Sequence, residues 1–290
     1  MRSKLFVPGA RPELFRKALS SPADAISIDL EDSVPEGLKA EARAKAAEFL
    51  GSAEVRSTTK LIIVRVNPLA SPHFEADLLA LVQPGLALLN LPKPESAADI
   101  RAAVAAIERA EAVNRVERPI GILANIETPR ALRCAADIGA ADSRVVGLQL
   151  GFADLFEPLG IDRGDVSNVH AAMFAMRMAA GEAGVFAYDG AFANVQDPDG
   201  YRAEAEMARR LGYLGKSCIH PSQIALANEV FQPSAADIAF ALRVLAEARK
   251  ADGRKQGAFL VDGRMIDVPF IRRAEAIVAI ARNLGIAAGE

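Results

Sequence analysis

The sequence lacks tryptophan and contains only two cysteines, Cys134 and Cys218, among its 290 residues. The two cysteines form no CxxC pair, so we expect no disulfide framework and no structural zinc site, and we interpret both as buried thiols. No apolar run approaches the ~18 to 20 residues of a membrane-spanning helix. The first residues also lack the apolar stretch and the cleavage site of a secretion signal. These absences predict a soluble, cytoplasmic protein with no membrane partner.

An excess of charge of one sign is also missing. The chain has 34 basic and 37 acidic residues, for a formal net charge of −3 at pH 7. Without a basic surplus there is no reason to expect a nucleic-acid partner. Hydrophobic residues make up 51% and charged residues 24%, which is typical of a globular protein and far from a disordered one. At about 150 residues per domain the length suggests two domains, but α/β barrels commonly use about 200 to 250 residues in one.

Short apolar runs rich in β-branched residues alternate with longer amphipathic stretches along the chain. One such stretch, Glu95 to Val113, places Ile100, Val104 and Ile107 on one helical face. This alternation is typical of βα units and of a parallel sheet. We interpret eight runs as strands: Lys4–Val7, Ala25–Leu30, Leu61–Val66, Leu86–Leu91, Ile120–Ile126, Arg144–Leu150, Val185–Tyr188 and Lys216–Ile219.

Eight such units close most naturally as a (β/α)8 TIM barrel of the α/β class, here over residues 1–231. The alternative is an open doubly wound sheet, but no glycine-rich GxGxxG motif follows the first strand. Residues 232–290 remain as a C-terminal extension. They predict a helix over Pro233 to Asp252, an extended segment over Gly257 to Asp267 and a last helix over Pro269 to Leu284. We expect this helical extension to act as a lid.

Polar side chains gather at the carboxyl ends of the predicted strands, where barrel enzymes carry their active sites. Each has a structural alternative. A carboxylate just after a strand often caps the next helix, which applies to Asp154 and to Asp29 or Asp32, whereas Thr128 is a better cap than Glu127. Lys93 is alternatively a solvated turn residue, and His220 a structural histidine. The full set is Asp29, Glu31, Asp32, Arg65, Asn67, Lys93, Asn125, Glu127, Asp154, Asp189 and His220.

Two of these carboxylates, Glu127 and Asp154, follow adjacent strands, with no histidine or thiolate nearby in the sequence. Such a pair suits Mg²⁺, which binds through one or two carboxylates and fills its other positions with water and substrate. An arginine at the same mouth, Arg65, can hold a substrate carboxylate or stabilise developing negative charge. Together they predict chemistry on a metal-bound oxo or hydroxy acid through an enolate.

The motifs assembled here resemble the citrate lyase β-subunit-like group of the HpcH/HpaI aldolase superfamily. The resemblance extends over essentially the whole chain, and its stretches stand in family order. They are Arg2–Gly9, Asp29–Val34, Val64–Asn67, Leu91–Lys93, Ile126–Pro129, Gly151–Asp154, Gly215–Gln223 and Asp262–Asp267.

The resemblance implies a Mg²⁺-dependent acyl-CoA lyase on a TIM barrel. Its substrates are 3-hydroxy-3-carboxy thioesters of the malyl-CoA, citramalyl-CoA or citryl-CoA type, and its products are acetyl-CoA and a 2-oxo acid. It also implies that Glu127 and Asp154 ligate the metal and that Glu127 helps to bind the substrate. Arg65 matches the arginine that binds the substrate and stabilises the thioester enolate. Glu31 and Asp32 match an acidic pair that orders metal-bound waters.

The same resemblance gives the extension a role. Asp267 matches an aspartate that reaches the active site of a neighbouring subunit as general acid/base, which implies a homotrimer or a multiple of one. Basic residues after the first strand, Arg11, Arg16 and Lys17, match a CoA-binding stretch. Phe6 occupies the place of an aromatic residue that lies along the ligand. Glu13 departs from the pattern, since a lysine is expected there.

Three alternatives remain open at this point. The first is a class II aldolase that acts on 2-oxo acids without CoA. The second is a thioesterase of the malyl-CoA type, in which water intercepts the thioester. The third is a non-catalytic subunit of an acyl-carrier lyase complex, against which the Met-Ile-Asp segment ending at Asp267 argues. The residues do not fix the 2-oxo acid, because one methyl group amounts to only about 1 to 3 kcal/mol of discrimination. We favour malyl-CoA or citramalyl-CoA over citryl-CoA.

Overall fold

The computed structural model describes residues 1–253 and 257–286 and contains two compact units, Met1–Phe231 and Gln232–Glu290. Residues 254–256 and 287–290 of the predicted extension lie outside the described residues. Within the described ranges, no helix combines the length and the apolar character needed to cross a membrane.

The first unit is built on eight parallel strands. Their side chains are buried nearly throughout, as in Ala25–Asp29, where all five residues are buried. Strands covered on both faces are rich in apolar residues, which makes them readable as apolar runs. Some buried side chains of these strands are nevertheless polar, among them Lys4, Asn125 and Lys216. The strands are β1 Ser3–Pro8, β2 Ala25–Asp29, β3 Leu61–Arg65, β4 Leu88–Leu91, β5 Gly121–Ile126, β6 Val145–Leu150, β7 Phe186–Tyr188 and β8 Lys216–Cys218.

The sheet closes on itself. Its hydrogen-bonded order is β7-β6-β5-β4-β3-β2-β1-β8, and a parallel bridge between Asp189 and Lys216 joins the two end strands. At this seam the Asp189 N–H donates to Gly215 O at 2.9 Å, and the Ser217 N–H donates to Asp189 O at 3.1 Å. The predicted TIM barrel is therefore confirmed, and the open sheet is excluded. All eight predicted strands are present, with bounds that differ by at most two residues.

Helices surround the barrel and follow each strand. The predicted stripe of α5 is confirmed, because Ile100, Val104 and Ile107 are all buried. Thr128 caps α6 by accepting from the Ala131 N–H at 3.1 Å. The helices are α1 Phe15–Leu19, α2 Lys39–Leu50, α3 Ala53–Ser57, α4 Phe74–Leu81, α5 Ala97–Asn114, α6 Pro129–Arg133, α7 Ala135–Gly139, α8 Phe152–Phe156, α9 Val166–Glu182, α10 Pro198–Arg210 and α11 Ser222–Val230.

The second unit consists of two helices and a hairpin: α12 Ala235–Gly253, β9 Phe259–Val261, β10 Arg264–Ile266 and α13 Val268–Asn283. The predicted extended segment is thus an antiparallel pair. Its two-residue turn uses Asp262 and Gly263 at φ 49° and 76°, the left-handed conformation that matches the twist of a hairpin. Val244, Val261 and Ile266 belong to a separate small core of this unit.

Candidate active site

A cavity of about 340 Å³ opens at the carboxyl ends of the barrel strands. Phe6, Asp29, Arg65, Glu127 and Asp154 belong to its lining, although they come from separate parts of the sequence. The parallel strands bring these residues together, because their carboxyl ends all meet at one mouth of the barrel. The acidic pair predicted from the sequence also lies at this mouth, since Glu31 pairs with Arg65 and Asp32 lines the cavity.

Arg65, at the end of β3, is held by carboxylates on one side. Its Nε and Nη2 donate to the two oxygens of Asp29 at 2.7 and 2.8 Å. Its Nη1 lies 2.9 Å from Glu31 Oε2 and 3.1 Å from Asp32 Oδ2. The ring of Phe6 lies under the guanidinium, 5.3 Å from its centre. Arg65 is therefore a charged group fixed in one orientation, since a bidentate pair restrains the plane of the guanidinium.

Asp29 has a structural role in addition to this pairing. Its oxygens accept from the backbone N–H groups of Glu31 and Ser33 at 3.0 and 3.1 Å, which folds the loop after β2. Burial alone would raise the pKa of Asp29, but the hydrogen bonds and charge of Arg65 outweigh it and hold that pKa below its ordinary value. Of the two aspartates that the sequence left open, Asp29 therefore organises the loop, and Asp32 stays half in solvent beside Arg65.

Glu127 is a buried carboxylate whose surroundings favour a cation. It is 2% exposed, and its oxygens accept from the Lys93 N–H and from Asn125 Nδ2, both at 3.1 Å. Burial, together with the charges of Glu31 and Asp154, raises the pKa of Glu127 to about 7. Gly151 lies so close that a Cβ there would come within 2.6 Å of Glu127 Oε1. The backbone of Gly151 thus completes a cradle around this carboxylate.

Asp154 lies in the first turn of α8, where Gly151 occupies the cap position. Its carboxylate contacts the Lys93 ammonium, with 3.0 Å between Asp154 Oδ1 and Lys93 Nζ. The capping interpretation of Asp154 is therefore wrong. Lys93 is a strand-end candidate from the sequence, with a solvated turn residue as the alternative, and no specific chemistry is predicted for it. The fold places it among the carboxylates rather than in solvent.

The donor set fits Mg²⁺. Over residues 1–253 and 257–286, no three acidic, histidine or cysteine side chains form a ready-made metal cage. Magnesium does not need one, because it uses one or two carboxylates together with water and substrate. Glu127 is desolvated and repelled by two like charges, and Asp154 beside it reaches solvent. A divalent cation at these two oxygen donors would relieve that repulsion.

Of the residues predicted to bind CoA, one lies in the cavity and three lie outside it. Phe6 lines the cavity, whereas Arg11, Arg16 and Lys17 do not. Arg11 Nε pairs with Glu13 Oε1 at 2.9 Å, and Arg16 Nε pairs with Glu54 Oε1 at 3.2 Å, all on exposed surface. Glu13, which departs from the family pattern, therefore forms an ion pair with Arg11, one of the cations predicted to bind CoA.

Asp267 and His220 are two further candidates from the sequence. Asp267 directly precedes α13, but its side chain makes no capping hydrogen bond, and its Oδ1 is buried without a hydrogen-bond partner. The Asp267 side chain therefore does not cap α13. His220 is exposed, and its Nδ1 lies 2.8 Å from Ser222 Oγ, which agrees with a structural role.

The fold and the site define a TIM-barrel protein whose mouth combines a fixed arginine with oxygen donors for a divalent cation. Residues 2–221 match the family model described as HpcH/HpaI aldolase/citrate lyase, and the chain belongs to this family. The predicted family is thereby confirmed.

Individual relatives agree with this assignment. The chain is 33% identical to the L-malyl-CoA/beta-methylmalyl-CoA lyase of Cereibacter sphaeroides, over 98% of this chain and 95% of that protein. It is 36% identical to a citrate lyase subunit beta-like protein of Deinococcus radiodurans, over 96% of each chain.

Solved structures are similar over nearly the whole length. The CitE protein of Mycobacterium tuberculosis, in complex with magnesium, acetoacetate and coenzyme A, has a TM-score of 0.75 and 32% identity, over 97% of this chain and 100% of that one. A citrate lyase from Burkholderia xenovorans has a TM-score of 0.85 at 21% identity and covers 99% of this chain and 93% of its own, which supports the fold alone.

Proposed function

We propose that this protein is a Mg²⁺-dependent carbon–carbon lyase that reversibly cleaves a 3-hydroxy-3-carboxy acyl-CoA to acetyl-CoA and a 2-oxo acid. The observation that carries the proposal is the juxtaposition of Arg65, fixed by Asp29, with the desolvated carboxylate of Glu127 in one cavity. Relatives that are named malyl-CoA lyase and citrate lyase subunit beta confirm the predicted lyase class. The M. tuberculosis relative was solved with magnesium and coenzyme A.

Glu127 and Asp154 are the residues that would hold Mg²⁺. When bound, the ion supplies a Lewis acid that lowers the pKa of the substrate's 3-hydroxyl group. The carboxylates of Glu31 and Asp32 hold the Nη1 of Arg65. They therefore orient the arginine, and they are also placed to order water at the site. The assignment of Mg²⁺ to this chain rests on the donor set and on the magnesium complexes of its relatives.

Arg65 acts on the thioester half of the substrate. A base takes the 3-hydroxyl proton, the carbonyl of the 2-oxo acid forms, and the electron pair of the breaking C2–C3 bond moves into the thioester. The enolate oxygen then carries the developing charge, which the guanidinium of Arg65 stabilises. Because Asp29 holds the guanidinium in advance, little reorganisation is needed when that charge appears.

Asp267 protonates the enolate carbon and so releases acetyl-CoA. Its Oδ1 makes no hydrogen bond within the described residues, so no protein donor competes there for the proton-transferring carboxylate. We assign catalysis to residues 1–231 and a lid function to residues 232–290. Following the family pattern, Asp267 serves the site of a neighbouring copy, in a homotrimer or a multiple of one.

CoA docking involves Phe6 within the cavity and the cations of Arg11, Arg16 and Lys17 near the first strand. The exposed pairs of Arg11 and Arg16 with glutamates contribute little energy, so a CoA phosphate can replace them. The cytoplasmic location expected from the sequence stays a prediction.

The test is an exchange and condensation assay with Mg²⁺ and acetyl-CoA in D₂O. We expect Mg²⁺-dependent deuterium incorporation into the acetyl methyl group, and condensation with glyoxylate or pyruvate in preference to oxaloacetate. Cleavage of the matching acyl-CoA should release acetyl-CoA.

Other outcomes identify the alternatives. Aldol chemistry on 2-oxo acids without exchange of acetyl-CoA would indicate a CoA-independent aldolase. Free CoA as the product would indicate a thioesterase. No turnover, together with co-purification of an acyl-carrier protein, would indicate a non-catalytic subunit.

A further inference from the structure

Lys93 occupies the centre of the carboxylate cluster. Its ammonium lies 3.1 Å from Glu31 Oε1 and 3.0 Å from Asp154 Oδ1, and its backbone N–H donates to Glu127 Oε2 at 3.1 Å. One residue thus contacts three carboxylates of the mouth. Two of these, Glu127 and Asp154, are the oxygen donors to which we assigned the metal.

The backbone of Lys93 is held in an unusual conformation. Its φ is 54°, in the left-handed region, where a side chain is strained and glycine is preferred. Pro92 and Pro94 on either side restrict the chain further. A lysine at a position that suits glycine indicates that the side chain itself is used. In this conformation the backbone N–H faces Glu127, and the ammonium faces Glu31 and Asp154.

We propose that Lys93 is an internal counter-cation of the metal site, which holds Asp154 while no divalent ion is bound and gives it up when Mg²⁺ enters. The inference rests on the proposed assignment of Glu127 and Asp154 to the metal. Asp154 cannot keep the ammonium at 3.0 Å and also present the same oxygen to the ion, because two cations would then crowd one carboxylate. Glu31 remains as the partner of the ammonium after the exchange.

Competition of this kind sets the affinity for Mg²⁺. Breaking the contact between Lys93 and Asp154 costs free energy that the ion must supply, so the site binds Mg²⁺ more weakly than its carboxylates alone would. The ammonium also offsets the repulsion between the carboxylates of Glu31 and Asp154 in the metal-free protein. Removal of the ammonium should therefore tighten Mg²⁺ binding, whereas a purely structural lysine would weaken it when removed.

The test is calorimetric titration of the full-length protein with MgCl₂ at pH 8.5, above the pKa of about 7 to which burial raises Glu127. We expect Lys93→Met to bind Mg²⁺ about three- to tenfold more tightly than the unmodified chain, the range for an ion pair between its exposed and half-buried limits. Lys93→Arg keeps the charge and should stay within about twofold of the unmodified chain. Lys45→Met is the matched control, because Lys45 pairs with Glu48 on an exposed helix surface.

Unfolding in urea with and without Mg²⁺ gives an independent readout. Lys93→Met should lose stability in the metal-free state and gain more from saturating Mg²⁺ than the unmodified protein does. Equal or weaker Mg²⁺ binding by Lys93→Met and by Lys93→Gln, with binding by the unmodified chain intact, would overturn the inference and leave the metal site standing. If the unmodified chain does not bind Mg²⁺, or Glu127→Gln leaves its affinity unchanged, the proposed metal site itself fails.

Discussion

Lys216 and Asp189 form a buried ion pair across the seam of the barrel, with 2.6 Å between Lys216 Nζ and Asp189 Oδ2. The same ammonium lies 2.5 Å from Glu204 on α10. Glu204 in turn contacts Arg163 at 2.7 Å, and the Arg163 guanidinium lies 4.0 Å from the ring centre of Phe152 in the wall of the cavity. A chain of paired charges therefore links closure of the barrel to the wall of the active site.

Removing the cation of this seam should be costly. Lys216→Met leaves the carboxylates of Asp189 and Glu204 buried without their ammonium, and breaking a buried pair in this way costs about 3 to 5 kcal/mol. Urea unfolding followed by circular dichroism measures the loss, with the surface variant Lys45→Met as the control. A change below about 1 kcal/mol would contradict a stabilising role for the pair.

A second ion pair gives stability that depends on pH. Arg2 donates to Asp24 through Nη2 at 2.8 Å, Nε at 3.0 Å and its backbone N–H at 2.7 Å. Burial would raise the pKa of Asp24, but these hydrogen bonds outweigh it and hold the pKa below its ordinary value. A lowered folded-state pKa means that the contribution is present above about pH 4, the unfolded value, and is lost as the pH falls through the folded value.

Asp24→Asn should therefore cost about 1 to 2 kcal/mol at pH 7 and progressively less below about pH 4. Urea unfolding of both proteins across this range measures the difference. A difference that stayed constant down to pH 2 would show that ionisation of Asp24 is not its source.

The cradle around Glu127 can be tested through Gly151. An added Cβ would lie 2.4 Å from Glu127 Cγ, so Gly151→Ala must push this carboxylate aside, although φ −112° itself suits alanine. We expect Mg²⁺ binding to weaken at least about tenfold in calorimetry, which corresponds to about 1.4 kcal/mol. Gly37→Ala is the matched control, because among the described residues no atom beyond its chain neighbours lies within 4 Å of its Cβ position. Unchanged Mg²⁺ affinity in Gly151→Ala would remove Glu127 from the metal site.

Two properties of Asp267 can be tested separately, namely its role in proton transfer and its action at the site of a neighbouring copy. Asp267→Ala should keep its affinity for Mg²⁺ and lose turnover by at least about 10²-fold, as expected when a general acid/base is removed. If Asp267 serves a neighbouring copy, co-expression of Asp267→Ala with Arg65→Ala chains should restore activity that neither variant has alone. Mixed assemblies then contain sites with an intact Arg65 and an intact Asp267 from different chains. Failure to restore activity in confirmed mixed oligomers would place Asp267 at the site of its own chain.

Many residues of the candidate site could be predicted from the sequence, because the end of a strand is recognisable from neighbouring residues alone. Apolar runs such as Ile120–Ile126 predict strands. The polar residues that directly follow these runs, such as Glu127, must then lie at the same end of a parallel barrel. Lys93 shows the limit of this reasoning. Its contacts with Glu31 and Asp154 join residues 62 and 61 positions away along the chain, and no local pattern encodes them.

The sequence by itself determined the class of fold, the family and the set of carboxylates and arginine at the mouth, because periodicity and short motifs depend on neighbouring residues. Only the tertiary structure decided which of those groups are paired, buried or left without a partner. It assigned Asp29 to the loop and to Arg65, gave Lys93 its place among the carboxylates, and left the Asp267 carboxylate uncapped. Those outcomes depend on distances across the barrel and on the loss of water around each charge, which arise only once the strands have closed.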